Sequence, residues 1–385
     1  MVLVSGSPVV SRRFVYPFLG ILGLVYLIYR FREKDVKKLA VYISCLCILF
    51  VAQKLVLGTI SVPSSANYLC KLLFGTAVFM YVGDSFRDKF LDVMAVIGVV
   101  SIVFWLFQIS GLSVPSVFPT ASEHLNSVFV HNVNTARNEY LRNCGPFWEP
   151  GAYVGFLFLS LILFLDNFKG LIRKKPWHVG IILATMLTTM STGGYICIAM
   201  LTAYFLIVEM FRNKWWYYLT VTFIVACGVV MFLKVPFLGE KIIHQLTVSS
   251  EQRRYDDKPE YFESRTGAFV VDFYYVGKHP VVGNGSKFET RFSDHFDQWD
   301  RIKKRHSNGF SNLFAQFGIP IALLYFVLLY FRLPFKEYRK WFFMLFYVFL
   351  MQEEMFLNFP LFISMPFILL PGGNKQLKAN ECNTN

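Results

Sequence analysis

Residues 177–211 read WHVGIILATMLTTMSTGGYICIAMLTAYFLIVEMF, and Glu209 is the only acidic or basic side chain among them apart from His178. One crossing of a bilayer core about 30 Å thick takes roughly 20 apolar residues. The stretch is therefore too long for one span and long enough for two. A turn is expected at Ser191-Thr192-Gly193-Gly194, where adjacent glycines permit a tight connection. Two apolar helices joined so closely have no place in a water-soluble domain.

The rest of the chain repeats this character. It is 55% hydrophobic, 18% aromatic and only 16% charged, against roughly 25% charged in ordinary soluble domains. Further spans are expected near residues 14–30, 39–57, 66–83, 90–111, 150–167, 215–236, 308–331, 341–354 and 356–371. With 177–190 and 194–211 this makes about eleven helices (ten to twelve), an all-α polytopic membrane bundle. Seven cysteines in 385 residues, most of them inside apolar runs, exclude a disulfide scaffold. The net charge of +13 is scattered over many short loops, which excludes a nucleic-acid-binding patch.

Those loops set the orientation. Arg30, Arg32, Lys34, Lys37 and Lys38 follow the first span, Arg87 and Lys89 the third, and Lys169, Arg173, Lys174 and Lys175 the fifth. Arg212, Lys214, Arg332, Lys336, Arg339, Lys340, Lys375 and Lys378 continue the alternation, while the loops near 58–65, 191–194 and 355 carry no Lys or Arg. Basic loops face the cytoplasm and its anionic leaflet. Arg12 and Arg13 run against the alternation, which places the N-terminus outside. The organisation expected is N-terminal spans over 1–111, an outer loop over 112–149, central spans over 150–236, a larger outer loop over 237–307, C-terminal spans over 308–371 and a cytoplasmic tail over 372–385. The two outer loops hold six of the seven histidines, and the larger one is nearly charge-balanced, as a folded, partly helical cap would be.

Three constellations could carry chemistry. Arg142-Asn143-Cys144-Gly145-Pro146-Phe147-Trp148-Glu149-Pro150-Gly151 leads into a span, with Pro150 suited to the first helical turn. Glu149 then falls at the helix N-cap, where it either complements the helix dipole or serves a site. Arg265 to Tyr275 reads as an amphipathic helix with Arg265, Asp272 and Tyr275 along one stripe. His279-Pro280-Val281-Val282-Gly283-Asn284-Gly285 follows, a turn whose Gly283 and Gly285 could offer backbone N–H groups to an anion. Last comes His306-Ser307-Asn308-Gly309-Phe310, ahead of a span reaching Gly318-Ile319-Pro320. His124 and His131 with Glu123, or Asp256-Asp257, lack the spacing of a metal site. Lys54, Lys71 and Asp166 sit near span ends and can snorkel. Glu353 and Glu354 lie at the outer end of a span, at the surface or lining a cavity.

The order of these features resembles the O-antigen polymerase and O-antigen ligase superfamily of bacterial envelopes. The likeness covers most of the chain from about residue 90. It rests on R-x-x-G-x-F-x-E-P before a helix, Met190-Ser191-Thr192-Gly193-Gly194 between two helices, and a large outer loop holding an arginine, then H-P-x-x-G-x-G, then a histidine ahead of a helix with Gly-Ile-Pro. The family's spacing of an arginine and a glycine ten residues apart is not met after Arg142 or Arg265.

The resemblance implies a glycosyltransferase of the inner membrane, with its active site on the periplasmic side. Its substrate would be a polyprenyl-diphosphate-linked oligosaccharide, with membrane lipids around it and a chain-length regulator as a possible partner. Arg142 and Arg265 match the family's functional arginines and His306 its histidine. Two guanidiniums can grip a diphosphate without a metal or other cofactor, and Glu149 or His306 can take the acceptor proton. Asp272, Tyr275, Gly283, Gly285, Asn308 and Ser191 are secondary candidates. Single displacement would invert the anomeric centre. A ligase that delivers the glycan to lipid A-core, or a lipid-linked-glycan flippase without chemistry, are the alternatives.

Overall fold

The computed structural model describes residues 15–30, 33–111, 117, 125–128, 130–134, 142–210, 265–292, 308–368 and 370. The N-terminal runs form helices α1 (Val15–Tyr29), α2 (Lys34–Leu57), α3 (Val62–Val82) and α4 (Phe86–Ile109). Gly58, at φ 71°, closes α2, and Ser61 caps α3 by accepting from the Ser64 amide. A short hairpin, β1 (Leu125–Ser127) with β2 (Asn132–Asn134), lies in the first loop. Then come α5 (Pro150–Ile162), α6 (Phe168–Lys174), α7 (Pro176–Thr188) and α8 (Thr192–Phe205), the last continued by a π turn over Leu206–Met210. The second loop contributes α9 (Arg265–Lys278) and α10 (Phe288–Arg291). The chain continues through α11 (Gly309–Arg332), α12 (Glu337–Glu353) and one turn, α13 (Pro360–Ile363).

The described residues are predominantly helical. Three segments are long and apolar enough to cross a membrane: 35–57, 62–109 and 309–332. The second comprises α3 and α4 joined by a 3-10 turn at Gly83–Ser85. α1, α5, α7 and α8 are apolar but shorter. Phe18, Ile21, Val25, Ile48, Leu55 and Val96 are among many large apolar side chains left exposed on these helices, an outer surface suited to lipid.

Helix α5 shows how burial follows composition. It is apolar on every face, and from Ala152 to Ile162 it is buried throughout, as an all-round hydrophobic helix must be. α4, α7, α8 and α12 pack around it. The expected span 215–236 lies outside the described residues. The expected span 356–371 is not a continuous helix. Residues 356–367 form a 3-10 turn, α13 and a second 3-10 turn, because Pro360 and Pro366 withhold the N–H groups a continuous helix needs.

That irregular backbone is buried inside the bundle, the setting in which it can persist at membrane depth. The Tyr325 and Tyr347 hydroxyls both reach the Phe362 carbonyl, at 2.5 and 3.2 Å. Ser364 Oγ donates to the Leu72 carbonyl at 3.0 Å. The tip of the Phe356 ring points at Gly155, where any β-carbon would collide with it.

Ion pairs gather the basic loops at one end. Arg87 grips Asp166 with contacts of 2.8 and 3.0 Å, and Arg339 donates to the carbonyls of Leu165 and Asp166. Lys175 meets Asp92 at 2.5 Å. Arg332 forks onto Asp35 at 3.0 and 3.1 Å and donates to the Ile368 carbonyl. Loops that alternate along the sequence thus share one end of the bundle. Lys54, near the other end of α2, turns its ammonium to the Gly58 carbonyl at 2.8 Å.

Candidate functional site

At the end opposite those ion pairs, segments far apart in sequence meet. Pro150 opens α5, which leaves Glu149 as its N-cap in extended backbone. The Glu149 side chain makes no capping hydrogen bond. Its carboxyl is instead hydrogen-bonded to Glu354, the residue just past α12. Glu354 is 6% exposed. Burial, and then the neighbouring Glu149 carboxylate, hold its carboxyl well above the usual carboxylate range. Two carboxyl groups can hydrogen-bond only when one of them carries a proton.

Arg265 joins this pair from the first residue of α9. Its Nη1 lies 2.8 Å from Glu353 Oε2 and its Nε donates to the Glu353 carbonyl at 3.1 Å. A β-carbon at Gly151 would stand 3.5 Å from Glu354 Oε1, 3.7 Å from Glu149 Oε1 and 4.0 Å from Arg265 Nη2. Gly151 therefore keeps open the point on which the three groups converge. Asn308 caps α11 by accepting from the Ser311 amide at 3.0 Å, and its Nδ2 lies 3.5 Å from the Arg265 carbonyl.

The α7–α8 turn adds the next wall. It differs from the expectation that glycines make the bend. The left-handed residue is Met190, at φ 48°, and Ser191 stands at the N-cap of α8. Gly193 and Gly194 lie inside the first turn of α8. A β-carbon at Gly193 would collide with Glu353 Oε2, so this glycine admits the carboxylate that holds Arg265. Arg142 approaches the same turn from the other side, where its Nε donates to the Thr189 carbonyl at 3.1 Å. Arg142 is buried and within electrostatic reach of Tyr195.

The secondary candidates in the outer loop divide differently. Asp272 is fully buried and accepts from Arg291 Nη2 and Ser311 Oγ, each at 2.6 Å. Tyr275 is fully buried, against Phe292. Both pin α9 to its neighbours. Gly283 and Gly285 do not form an anion nest, because the turn's N–H groups are already donated. Gly283 N reaches the His279 carbonyl at 2.8 Å, Asn284 N the Ala315 carbonyl at 2.8 Å, and Gly285 N the Gln316 carbonyl at 3.1 Å.

These bonds dock the turn into a break in α11 at Gly318 (φ 77°), two residues before Pro320. Gln53 completes the lock, donating to the Val282 and Gln316 carbonyls at 2.7 and 2.8 Å. The two glycine motifs of the sequence are thus the two halves of one joint.

His306, His124, Glu123 and Asp256-Asp257 lie outside the described residues. Among the described residues, no group of three His, Cys, Asp or Glu side chains is placed to hold a metal ion. His131 is fully buried, stacked on Phe104 and hydrogen-bonded through Nε2 to Gln108 at 3.1 Å. Burial pushes its pKa down to about 4.

Glu353 and Glu354, expected at the surface or lining a cavity, lie inside this cluster. Their signal was two consecutive carboxylates closing an apolar run, a costly arrangement unless both find partners. No protein-family model, curated protein or solved structure matches the chain.

Proposed function

We propose that this chain is a membrane glycosyltransferase that polymerises polyprenyl-diphosphate-linked oligosaccharide repeat units at the outer face of the bacterial cytoplasmic membrane. The observation that carries the proposal is the convergence of the Glu149–Glu354 pair and Arg265 over Gly151. A sugar joined to a diphosphate already has a good leaving group. The protein must mainly orient the reactants, take one proton and stabilise the departing charge.

In this mechanism the acceptor hydroxyl gives its proton to Glu149 as its oxygen bonds to the anomeric carbon. The bond from that carbon to the phosphate oxygen breaks, and its electron pair leaves with the diphosphate. Arg265 and Arg142 hold the diphosphate oxygens, with Arg265 exchanging Glu353 for phosphate. Glu354 keeps its proton and orients Glu149 through their hydrogen bond. His306 stands as the other candidate base. A single displacement inverts the anomeric centre, and retention in the product linkage, read by NMR, would exclude it.

The deciding experiment is reconstitution of the full chain in nanodiscs with one polyprenyl-diphosphate-linked repeat unit and no second acceptor. The expected result is a ladder of products on a gel that persists in EDTA and disappears in Arg265→Ala. No ladder from folded protein with its native repeat unit refutes self-sufficient polymerisation. Transfer seen only after adding a lipid acceptor supports the ligase alternative.

A further inference from the structure

Beside this cluster lies a second polar feature. A cavity of about 250 Å³ opens between α3, α11 and the segment after α12, lined in part by Asn67, Lys71, Arg291, Asn312 and Met355. It adjoins the carboxylate cluster along two elements: Asn312 lies one helical turn beyond Asn308, and Met355 follows Glu354.

Lys71 comes nine residues after the start of α3, which at 1.5 Å per residue places it roughly 14 Å along the helix. Among the described residues it forms no ion pair, and its ammonium lies 5.0 Å from the centre of the Tyr16 ring. A cation set inside an apolar bundle without a counter-ion is costly and marks a functional position. Arg291 is already held by Asp272, and among the described residues no carboxylate lines the cavity.

The second observation is the wall itself. Asn67, Asn312 and Gln316 contribute amides to it and Ser64 and Ser286 hydroxyls. A cation without an anion among the described residues thus faces an opening walled by neutral hydrogen-bonding groups.

We infer that this cavity is a binding subsite for an acidic sugar, a hydroxylated ring whose negative group pairs with Lys71 and whose hydroxyls meet the amides of Asn67 and Asn312. Taken with the proposed polymerase function, on which the identity of the glycan rests, it holds a charged residue of the repeat unit beside the reacting bond. It thereby selects glycans that carry one.

The test uses full-length protein in phosphatidylcholine nanodiscs, where no anionic headgroup competes, and saturation-transfer NMR with D-glucuronate as probe and D-glucose as neutral control. The expected signal for glucuronate exceeds that for glucose at least fivefold. Lys71→Met and Asn312→Leu abolish the excess, and Lys71→Arg preserves it. Equal signals from the two sugars, or a glucuronate excess that survives Lys71→Met in folded protein, overturn the inference. If inorganic phosphate displaces glucuronate at equal concentration, the subsite reads the negative charge alone and the sugar assignment is overturned. This readout needs no catalysis. A missing product ladder therefore counts against the polymerase reading only, and a Lys71-independent signal against the subsite only.

Discussion

The Glu149–Glu354 pair makes the sharpest prediction, because two isosteric substitutions separate its members. Glu149→Gln removes the base proposed for the acceptor proton. General-base catalysis contributes about 10²- to 10⁴-fold, so turnover should fall by that factor, about 3–5 kcal/mol in activation free energy. Glu354→Gln keeps a donor for Glu149 and removes only the second ionisable group, so turnover near neutral pH should fall less than about tenfold. The alkaline limb of its pH–rate profile should move to higher pH, because no second carboxyl then remains to lose its proton.

Stability gives a second readout. The folded value of Glu354 is raised, so its contribution is fully present below the unfolded carboxylate range and is lost as pH rises through the raised value. Wild-type protein should therefore unfold at lower temperature at pH 9 than at pH 6, with a smaller difference in Glu354→Gln. The assay is the product ladder from nanodiscs between pH 5 and 9, paired with thermal unfolding of the same samples. Equal losses from the two substitutions without a shifted limb would refute the division of roles, and near-wild-type turnover in Glu149→Gln would remove it as the base.

Three further outcomes are expected. His131 is buried with a folded pKa of about 4 against about 6.5 when unfolded, so its stability contribution is fully present above pH 6.5 and is lost as pH falls through 4. The total is roughly 3 kcal/mol, and calorimetry of His131→Gln, which can keep a bond to Gln108, should show a flatter acid dependence. Gly193→Ala should drive Glu353 off Arg265 and lower turnover at least tenfold, with the unfolding temperature little changed because the displaced group is the end of a flexible side chain. Gly318→Ala meets both a left-handed backbone and the Val281 carbonyl, so it should cost about 2 kcal/mol or more and appear as a lower unfolding temperature.

Much of the architecture was legible because lipid imposes strong rules on sequence. Apolar runs marked α1 to α5, α7, α8, α11 and α12, and the alternation of basic loops foretold the shared end at which Arg87, Lys175 and Arg332 find their acidic partners. The final run, 356–371, misled because it is apolar enough for a span while Pro360 and Pro366 forbid one. Its carbonyls depend on Tyr325 and Tyr347, which no local pattern announces. At the site, Glu149, Arg265 and Ser191 were legible from their places at helix ends. Asp272 is a second charged residue on the same helix as Arg265 but turns to Arg291 and Ser311, a distinction that only packing against α11 settles. Glycines were the least legible residues. Gly193 and Gly194 read as a turn, yet the bend falls on Met190, and what Gly193 provides is room for Glu353.

The two ends of the bundle differ in how well local rules are obeyed. Where Arg87, Lys175 and Arg332 lie, each cation has a carboxylate within 3.0 Å. Toward the other end the exceptions accumulate: Met190 in a left-handed conformation, Glu354 buried beside a second carboxyl, Lys71 without a counter-ion among the described residues, and Asn312 with an unpaired oxygen. Each would be removed by a common substitution if stability alone mattered. Met190 could become glycine, Glu354 glutamine, Lys71 methionine and Asn312 leucine, with the helices around them unchanged. Local costs gathered toward one end, against paired charges at the other, suit the functional face proposed for that end. The deficits also have a common sense. An ammonium at Lys71 without an anion among the described residues and a proton shared between Glu149 and Glu354 both suit the hydroxylated, negatively charged substrate proposed here, which gives up a proton.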